Sequence, residues 1–230
     1  MKIIAKIFKI IFYIIVSFVF LSVFTVFVYK YIPPPVTPPM LMRVVEGLFE
    51  GKFIGIEKSW ASYDEISPNF YRAVISGEDA RFLSHGGIDW KAVEVAKRYN
   101  KLHEGQKKRG ASTITMQTAK NTFLWHGRNY VRKAMEAYFT ILIETIWGKK
   151  RILEIYANVV EFGEGLYGAE AASQKFFNKP ARTLSKREAA LLAAVMPNPR
   201  RWSPAAPTPY ILKRVDFIMG RMGGIGLPKE

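Results

Sequence analysis

The strongest hydrophobic pattern in the chain is an apolar run at residues 10–29, which carries no charge and has only Ser17, Ser22 and Thr25 as mildly polar members. A helix of this length, rising about 1.5 Å per residue, spans roughly 30 Å, the thickness of a bilayer's hydrocarbon core. The alternative is a cleaved signal peptide, whose apolar part normally has about 7–15 residues and ends in small residues. Because residues 26–29 are large, the pattern favours an uncleaved transmembrane helix.

The charges that flank this run predict its orientation. Lys2, Lys6 and Lys9 precede it, whereas Lys30 follows alone before a proline tract. The positive-inside rule therefore places residues 1–9 in the cytoplasm and everything after Lys30 on the periplasmic or extracellular side of the membrane.

A proline-rich linker at residues 30–43 separates the anchor from a domain predicted at residues 44–226. Five of the seven residues at positions 33–39 are proline, a composition typical of an extended, semi-rigid polyproline spacer. At about 3 Å per residue, the spacer is expected to hold the domain off the membrane by roughly 20 Å at most.

Helical periodicity dominates the rest of the chain, and residues 52–56 are the only strand candidate. Ser185 and Glu188 have the spacing of a capping box, and a polar, basic loop is expected at residues 103–109. The sequence therefore predicts one mostly α domain. Its expected helices cover residues 69–84, 89–102, 112–124, 130–147, 150–161, 168–177, 185–195 and 209–222.

Composition and net charge limit the kinds of site that the chain can form and the kinds of molecule that it is expected to bind. The chain has 34 lysines and arginines against 19 acidic residues, a net charge of +15, and no cysteine. Disulfide scaffolds, cysteine–zinc sites and thiol nucleophiles are thereby excluded, and 49% hydrophobic residues argue against disorder over most of the length. Because the positive excess lies mainly outside the cytoplasm, anionic lipid or a lipid-linked phosphate is a better partner than nucleic acid.

Residues 78–89 concentrate groups that could carry chemistry. Glu78 and Phe82 are four apart, so a continuous helix would place an apolar ring on the same face as the carboxylate. Such a ring would desolvate Glu78 and raise its pKa towards that of a useful general base. The alternative is a solvated helix face on which Asp79 pairs with a nearby cation.

Two further segments are rich in groups that bind anions. Ser112 and Thr113 open a helix after a glycine, where free backbone N–H groups attract anions, and Lys120 follows one to two turns later. The alternative is an ordinary capped helix.

Arg132 and Lys133 stand four and three residues before Glu136, so all three can share one helix face. They are either a surface ion pair or a pair of cations for phosphate oxygens, with Glu136 holding the cations or a divalent ion. Residues 150–158 have the pattern of core packing, with Glu154 and Asn158 as buried polar braces. The histidines at 85, 103 and 126 lack metal-ligand spacing.

In order, these motifs read Glu-Asp-x-x-Phe-x-x-His-x-Gly-x-Asp, Gly-x-Ser-Thr-Ile-Thr-x-Gln-x-x-Lys-Asn, Arg-Lys-x-x-Glu and Arg-Ile-Leu-Glu-x-Tyr-x-Asn. The series resembles the bacterial peptidoglycan glycosyltransferase family, the transglycosylase domains of penicillin-binding proteins, over residues 60–222. No serine is followed three residues later by lysine, so the Ser-x-x-Lys acylation motif is absent and the resemblance is to the monofunctional type. Met116 departs from the family, which usually has glutamine there.

The resemblance implies a lysozyme-like helical fold with a smaller membrane-proximal lobe, and lipid II as substrate. Glu78 would deprotonate the 4-hydroxyl of the acceptor's GlcNAc, which would attack the anomeric carbon of the growing chain's MurNAc with inversion and release undecaprenyl diphosphate. It also implies a possible Mg²⁺ or other divalent ion near Glu136, no organic cofactor, and possible contacts with cell wall synthesis and division proteins. The implied catalytic residues are Glu78 and Glu136, and the implied substrate-binding residues are Asp79, Phe82, His85, Ser112, Thr113, Gln117, Lys120, Asn121, Arg132 and Lys133.

Two other functions are open at this point. A lysozyme-like lytic enzyme would keep the fold and cut finished glycan, but such glycan carries no diphosphate to match Lys120, Arg132 and Lys133. A non-enzymatic basic adaptor for anionic lipid or wall-assembly partners would bind according to overall charge and salt, and would be insensitive to Glu78.

Overall fold

A computed structural model describes residues 2–104, 108–127 and 129–228, so part of the basic loop expected at 103–109 lies outside the described residues. Over the described ranges the chain forms ten α-helices and three very short strands, which confirms the predicted mostly α class. The helices are α1 Lys2–Tyr31, α2 Pro38–Phe49, α3 Pro68–Glu78, α4 Trp90–Leu102, α5 Ile114–Phe123, α6 Tyr130–Ile146, α7 Gly148–Val159, α8 Ala169–Phe177, α9 Lys186–Val195 and α10 Pro209–Met222. The strands are β1 Glu57–Lys58, β2 Glu161–Gly163 and β3 Leu166–Tyr167.

The strand prediction at residues 52–56 was wrong. The strands form one sheet in the order β1-β3-β2, in which β1 pairs parallel and β2 antiparallel with β3. Each strand has only two or three residues, too few to show the alternation by which a strand is recognised in a sequence.

Side-chain caps explain where several helices begin. Asp89 accepts a hydrogen bond from the Ala92 N–H at the start of α4, and Asn129 accepts one from the Arg132 N–H at the start of α6. The capping box of Ser185 and Glu188 at α9 is confirmed.

The helix predicted at residues 69–84 is shorter than expected. It ends at Glu78, because Asp79 leaves the helical conformation and a separate 3-10 turn covers Phe82–Ser84. Phe82 therefore does not lie one turn from Glu78 on a shared helix face, so that argument for desolvation is wrong, although burial does raise the pKa of Glu78 as predicted. The Asp79 carboxylate instead accepts a hydrogen bond from the Ile114 N–H at the start of α5.

Two groups of helices enclose the core. In one, α9 packs against α3 and α10, and its buried alanines leave room for this contact; in the other, α5 packs against α6 and α7. The end of α3 meets the beginning of α5, where Gln117 donates to Glu78. Glu78 consequently lies at the junction of the two groups.

Helix α1 is long and apolar enough, over Ile3–Tyr31, to cross a membrane. Its last turns are hydrogen-bonded to α6, to α7 and to Trp147 between these two helices. The contacts are Ser22 Oγ to Tyr138 OH at 2.6 Å, Trp147 Nε1 to the Val26 carbonyl at 2.6 Å, and Arg151 Nη2 to the Tyr29 carbonyl at 2.8 Å. The domain therefore packs directly against its anchor.

The predicted spacer needs correction for the same reason. Pro38 and Pro39 form the first turn of α2, a position that suits proline because its missing N–H would be unpaired there anyway. The extended segment is thus shorter than residues 33–39, and it does not hold the domain away from α1.

Candidate active site

Glu78 is the last residue of α3, and both of its carboxylate oxygens accept hydrogen bonds. Gln117 Nε2 donates to Oε2 at 3.0 Å, and Arg214 Nη2 donates to Oε1 at 3.1 Å. The side chain is only 15% exposed. Burial raises the pKa of Glu78 above its ordinary value, while the Gln117 hydrogen bond and the Arg214 charge oppose that rise. The site thus has one desolvated carboxylate whose ionised form is supported by two donors.

Arg214 is a site residue that sequence reasoning missed. It lies on α10, donates a second hydrogen bond from Nε to the Ala194 carbonyl at 3.2 Å, and so links α9 and α10 to Glu78. Ile211, Val215 and Ile218 are buried on the same helix, and Arg214 falls into their i, i+3, i+4, i+7 stripe. A cation within an apolar stripe is the signal that could have found it.

Tyr156 was interpreted as core packing, and it is fully buried in α7. Its hydroxyl also donates to Gln117 Oε1 at 3.3 Å, on the side of the amide opposite Glu78. Tyr156 is the tyrosine of the Arg-Ile-Leu-Glu-x-Tyr-x-Asn motif, but the apolar residues around it favoured core packing. Asn158 is buried and bonds to both backbone groups of Ala61, so it is a buried polar brace as predicted, whereas Glu154 is half-buried and pairs with Arg151 on its own helix.

Asp79, Phe82 and His85 form a support beside Glu78. His85 Nε2 lies 3.0 Å from Asp79 Oδ1, and Asp79 Oδ2 accepts the Ile114 N–H at 3.1 Å. Phe82 is fully buried beneath the ammonium of Lys149, which lies 4.4 Å from its ring centroid. Phe82 and His85 therefore pack behind the site and do not line the cavities that adjoin Glu78.

Two backbone donors in the first turn of α5 are used within the protein. Thr113 is the N-cap and accepts the Met116 N–H, while the Ile114 N–H goes to Asp79. The expectation that these groups attract an anion is therefore wrong for both. Ser112 is exposed at the edge of a cavity, and Met116 is buried, so the departure from the family's usual glutamine lies in the apolar interior.

Gly87 holds the loop that follows Asp79 close to α6. Its φ is +88°, a value favoured by glycine, and Thr113 Oγ1 donates to its carbonyl at 2.5 Å. A Cβ at this position would lie 2.7 Å from both Thr140 Cγ2 and Glu144 Cγ. Glycine is thus required for this loop to reach α6 and meet α5.

The predicted cluster on α6 exists, and its centre is buried. Glu136 is 3% exposed; Arg132 Nη1 donates to its Oε2 at 2.7 Å and Lys133 Nζ to its Oε1 at 2.5 Å. The interpretation as a surface ion pair is therefore wrong. Burial lowers the pKa of Lys120, and the charge of Glu136 opposes that change. Three cations thus gather around one buried carboxylate.

Two cavities lie on either side of the Gln117–Glu78 hydrogen bond, since Gln117 lines one and Glu78 lines the other. The Lys120 cavity, with a volume of about 440 Å³, is lined by Gln117, Lys120, Asn121 and Arg132 among others. The Arg214 cavity, of about 640 Å³, is lined by Glu78, Asp79, Ser112, Thr113 and Arg214 among others. The first contains two of the cations near Glu136, and the second contains the candidate base together with four arginines, at positions 81, 109, 214 and 221.

The carboxylates near the site do not fit a resident divalent cation. Both oxygens of Glu136 already accept from Arg132 and Lys133. In the part of the chain that the structure describes, the one grouping with metal-ligand spacing is Asp79, His85 and Asp89. There the Arg81 guanidinium pairs with Asp89, and both aspartates accept backbone N–H groups.

Comparisons with known proteins show the family to which the chain belongs. The profile of the family described as Transglycosylase matches residues 50–223. A "Biosynthetic peptidoglycan transglycosylase" of Bdellovibrio bacteriovorus is 49% identical over 197 residues, which is 86% of this chain and 78% of the relative. Proteins with the same name in Rhodospirillum centenum and Caulobacter vibrioides are 51% and 47% identical, covering 84% and 88% of this chain and 81% and 85% of their own lengths. The chain therefore belongs to the transglycosylase family, as a peptidoglycan glycosyltransferase of cell wall synthesis.

Proposed function

We propose that this enzyme polymerises lipid II by transferring the growing glycan from its lipid diphosphate to the 4-hydroxyl of the next lipid II, with Glu78 as the general base. The observation that carries the proposal is the position of one desolvated carboxylate between a cavity lined by Lys120 and Arg132 and a second, larger cavity. The first cavity suits a diphosphate, and the second has room for the acceptor sugar.

In the transfer, Glu78 takes the proton of the acceptor hydroxyl as that oxygen forms a bond to the anomeric carbon of the donor. The bond from this carbon to the diphosphate oxygen breaks, and attack from the opposite face gives a β-linkage from an α-linked donor. Burial makes Glu78 more basic than an exposed glutamate, while Arg214 and Gln117 keep it ionised before the reaction. Arg214 and Gln117 thus both favour the ionised carboxylate, which is the form that accepts the proton.

A second carboxylic acid is unnecessary for this transfer. Glycoside hydrolases protonate the leaving oxygen because an alkoxide leaves poorly. A diphosphate leaves as an anion, so cations that stabilise the developing charge are sufficient. We infer that Lys120, Arg132 and Lys133 contact the diphosphate, and that Glu136 holds Arg132 and Lys133 in place.

The other predicted residues take supporting positions in this proposal. Asn121 lines the Lys120 cavity and Ser112 lines the Arg214 cavity, where each can bond polar groups of the substrate. Thr113 and Asp79 hold the beginning of α5 against the end of α3. Phe82 and His85 act through Asp79 and the loop, since Phe82 is fully buried and His85 contacts the Asp79 carboxylate.

Because Glu136 has no free oxygen for a metal, we infer that any divalent ion used by the enzyme arrives on the substrate's diphosphate. Such an ion would neutralise phosphate charge there. The roles assigned to Glu78, Lys120 and Arg132 do not depend on it.

We further propose that α1 spans the cytoplasmic membrane with its N-terminus in the cytoplasm, because Lys2, Lys6 and Lys9 precede its uncharged run at residues 10–29. The exposed apolar side chains of α2 and the following turn support contact between this region and the outer leaflet: Leu41, Val45, Leu48, Phe49 and Phe53. Both substrates are lipid-linked, so this arrangement keeps the cleft beside them.

The test is polymerisation of labelled lipid II by the full chain in detergent or vesicles. The Glu78→Gln variant should lose at least about 100-fold in rate, the range expected for removal of a general base. Glu65→Gln is the control, since Glu65 is an exposed carboxylate that caps a 3-10 turn. Normal polymerisation by Glu78→Gln would defeat the assignment, and release of soluble fragments from purified cell wall would revive the lytic alternative.

A further inference from the structure

The Tyr156 hydroxyl is buried among apolar side chains. Tyr156 has no exposed surface, and its neighbours Ile152, Leu153 and Ile155 on α7 are also fully buried. A hydroxyl in such surroundings destabilises the fold unless it is hydrogen-bonded, and phenylalanine would fill the same space without that cost. Its partner in the structure is Gln117 Oε1 at 3.3 Å. The role of the hydroxyl is therefore its hydrogen bond to Gln117 rather than packing in the apolar core.

Gln117 lies between a donor and an acceptor. The ionised carboxylate of Glu78 can only accept, so the amide nitrogen of Gln117 must face it, as the 3.0 Å contact shows. The amide oxygen then points to Tyr156, where the phenol donates. A reversed amide would place its oxygen against the carboxylate, so the two contacts favour the same orientation of Gln117.

We propose that Tyr156 is a positioning residue for glycosyl transfer: its hydroxyl holds the Gln117 amide so that Nε2 donates to Glu78 and keeps the base ionised and directed into the cleft. The proposal rests on the assignment of Glu78 as the base. The two hydrogen bonds of Gln117, a residue of α5, connect Tyr156 of α7 to Glu78 at the end of α3.

Because Glu78 must be ionised to act as the base, loss of the Gln117 hydrogen bond should change the pH dependence of the reaction. Burial, and then the negative charges of Glu78 and Asp79, hold the pKa of Tyr156 well above its ordinary value, so the phenol remains a donor at every working pH. The charged groups that act on Glu78 are Arg214 from α10, Asp79 beside it and Lys120 from α5. None of these three is changed by removal of the phenol oxygen.

The experiment compares Tyr156→Phe with the full-length parent by measuring kcat/KM for lipid II across pH. Without the phenol, the Gln117 amide is released and Glu78 loses a fixed donor, so its pKa rises. A base with a higher pKa is protonated at pH values where the parent is active. The acid limb of the profile should therefore move to higher pH, and the ratio of kcat/KM at about pH 8.5 to that at about pH 6 should grow by about ten-fold. KM should change less than about two-fold, because Tyr156 does not line either cavity.

Tyr71→Phe is the matched control. Tyr71 is also fully buried, and its hydroxyl donates to the Tyr63 carbonyl at 3.1 Å, with no contact to Gln117 or Glu78. It should shift the melting temperature about as much as Tyr156→Phe and leave the pH profile unchanged. Equal profiles for the two variants would mean that Tyr156 is structural only, and would overturn the proposal.

A double-mutant cycle tests the route through Gln117. If Tyr156 acts through the amide, Tyr156→Phe should add no further displacement of the acid limb to a Gln117→Leu variant. Additive displacements would overturn the proposal. Should Tyr156→Phe fail to fold, 3-fluorotyrosine at position 156 keeps the ring and strengthens the donor, so the limb should move to lower pH; no movement would count against the proposal. Activity of Glu78→Gln reports separately on the base itself.

Discussion

Arg214 and Glu78 form the ion pair that brings the last helix of the domain to the candidate base. Arg214 Nη2 lies 3.1 Å from Glu78 Oε1, and the guanidinium is itself fixed by the Ala194 carbonyl. Since Arg214 lies 136 residues beyond Glu78 in the chain, this contact depends on the folding of the whole helical domain.

Replacing Arg214 with glutamine should raise the pKa of Glu78 further, because a positive charge that favours the carboxylate is lost. We expect kcat/KM at neutral pH to fall by about ten-fold or more and to recover in part at higher pH. The measurement is the pH profile of lipid II polymerisation. Arg221→Gln is the control, since Arg221 lines the same cavity and lies over the Phe217 ring. A flat, pH-independent loss in Arg214→Gln would contradict this explanation.

Replacing Lys133 or Arg132 with alanine should weaken diphosphate binding, and the two substitutions should differ in their effect on stability. The Lys133 side chain is 47% exposed and that of Arg132 is 11% exposed, so Arg132→Ala leaves the buried Glu136 less well paired. We expect about 1–3 kcal/mol lower stability for Arg132→Ala and less than about 1 kcal/mol for Lys133→Ala.

Thermal unfolding and inhibition by inorganic pyrophosphate would measure the two effects of these α6 variants. Both substitutions should weaken pyrophosphate inhibition, whereas the exposed Lys101→Ala should not. Unchanged inhibition in both α6 variants would contradict the proposal that Arg132 and Lys133 contact the diphosphate.

The free enzyme should not bind a divalent ion tightly at Glu136, because both carboxylate oxygens are occupied by cations. Titration of Mn²⁺ followed by electron paramagnetic resonance should detect an added binding site only when lipid II is present. Stoichiometric binding to the free enzyme that disappears in Glu136→Gln would show the opposite. Glu188→Gln, which changes a helix cap, is a suitable control.

Gly87→Ala should destabilise the fold by about 2–3 kcal/mol, because it combines a strained positive φ with a clash against α6. The adjacent Gly86→Ala is the matched control, since no neighbouring atom lies within 4 Å of the added Cβ. Thermal unfolding of the two variants would measure the difference. Equal melting temperatures would show that the loop at Gly87 adapts to the extra carbon.

Helices were predictable where local pattern and local caps coincide. Residues 209–222 and 130–147 show clear periodicity, and Ser185 with Glu188 marks a helix start, so α10, α6 and α9 lie close to the expected bounds. The grouping of Arg132, Lys133 and Glu136 was equally local, since their spacing alone places them on one face.

Features that depend on distant partners were not predictable in this way. Helix α3 ends at Glu78 because Asp79 bonds to a backbone group 35 residues away. Tyr156 and Arg214 reach the site from other helices, and neither the motif around Tyr156 nor the apolar stripe around Arg214 shows which distant side chain it contacts. The burial of Glu136 likewise follows from tertiary packing, which the i, i+4 spacing does not report.

The hydrogen bonds that join α1 to Tyr138, Trp147 and Arg151 make the anchor and the domain move together. A spanning helix tilts when the bilayer becomes thinner than its apolar length. If α1 spans the membrane as proposed, such a tilt would rotate the catalytic domain packed against it, and with it the angle at which the cleft faces the lipid headgroups. Bilayer thickness would then influence how the proposed lipid-borne diphosphate reaches Lys120.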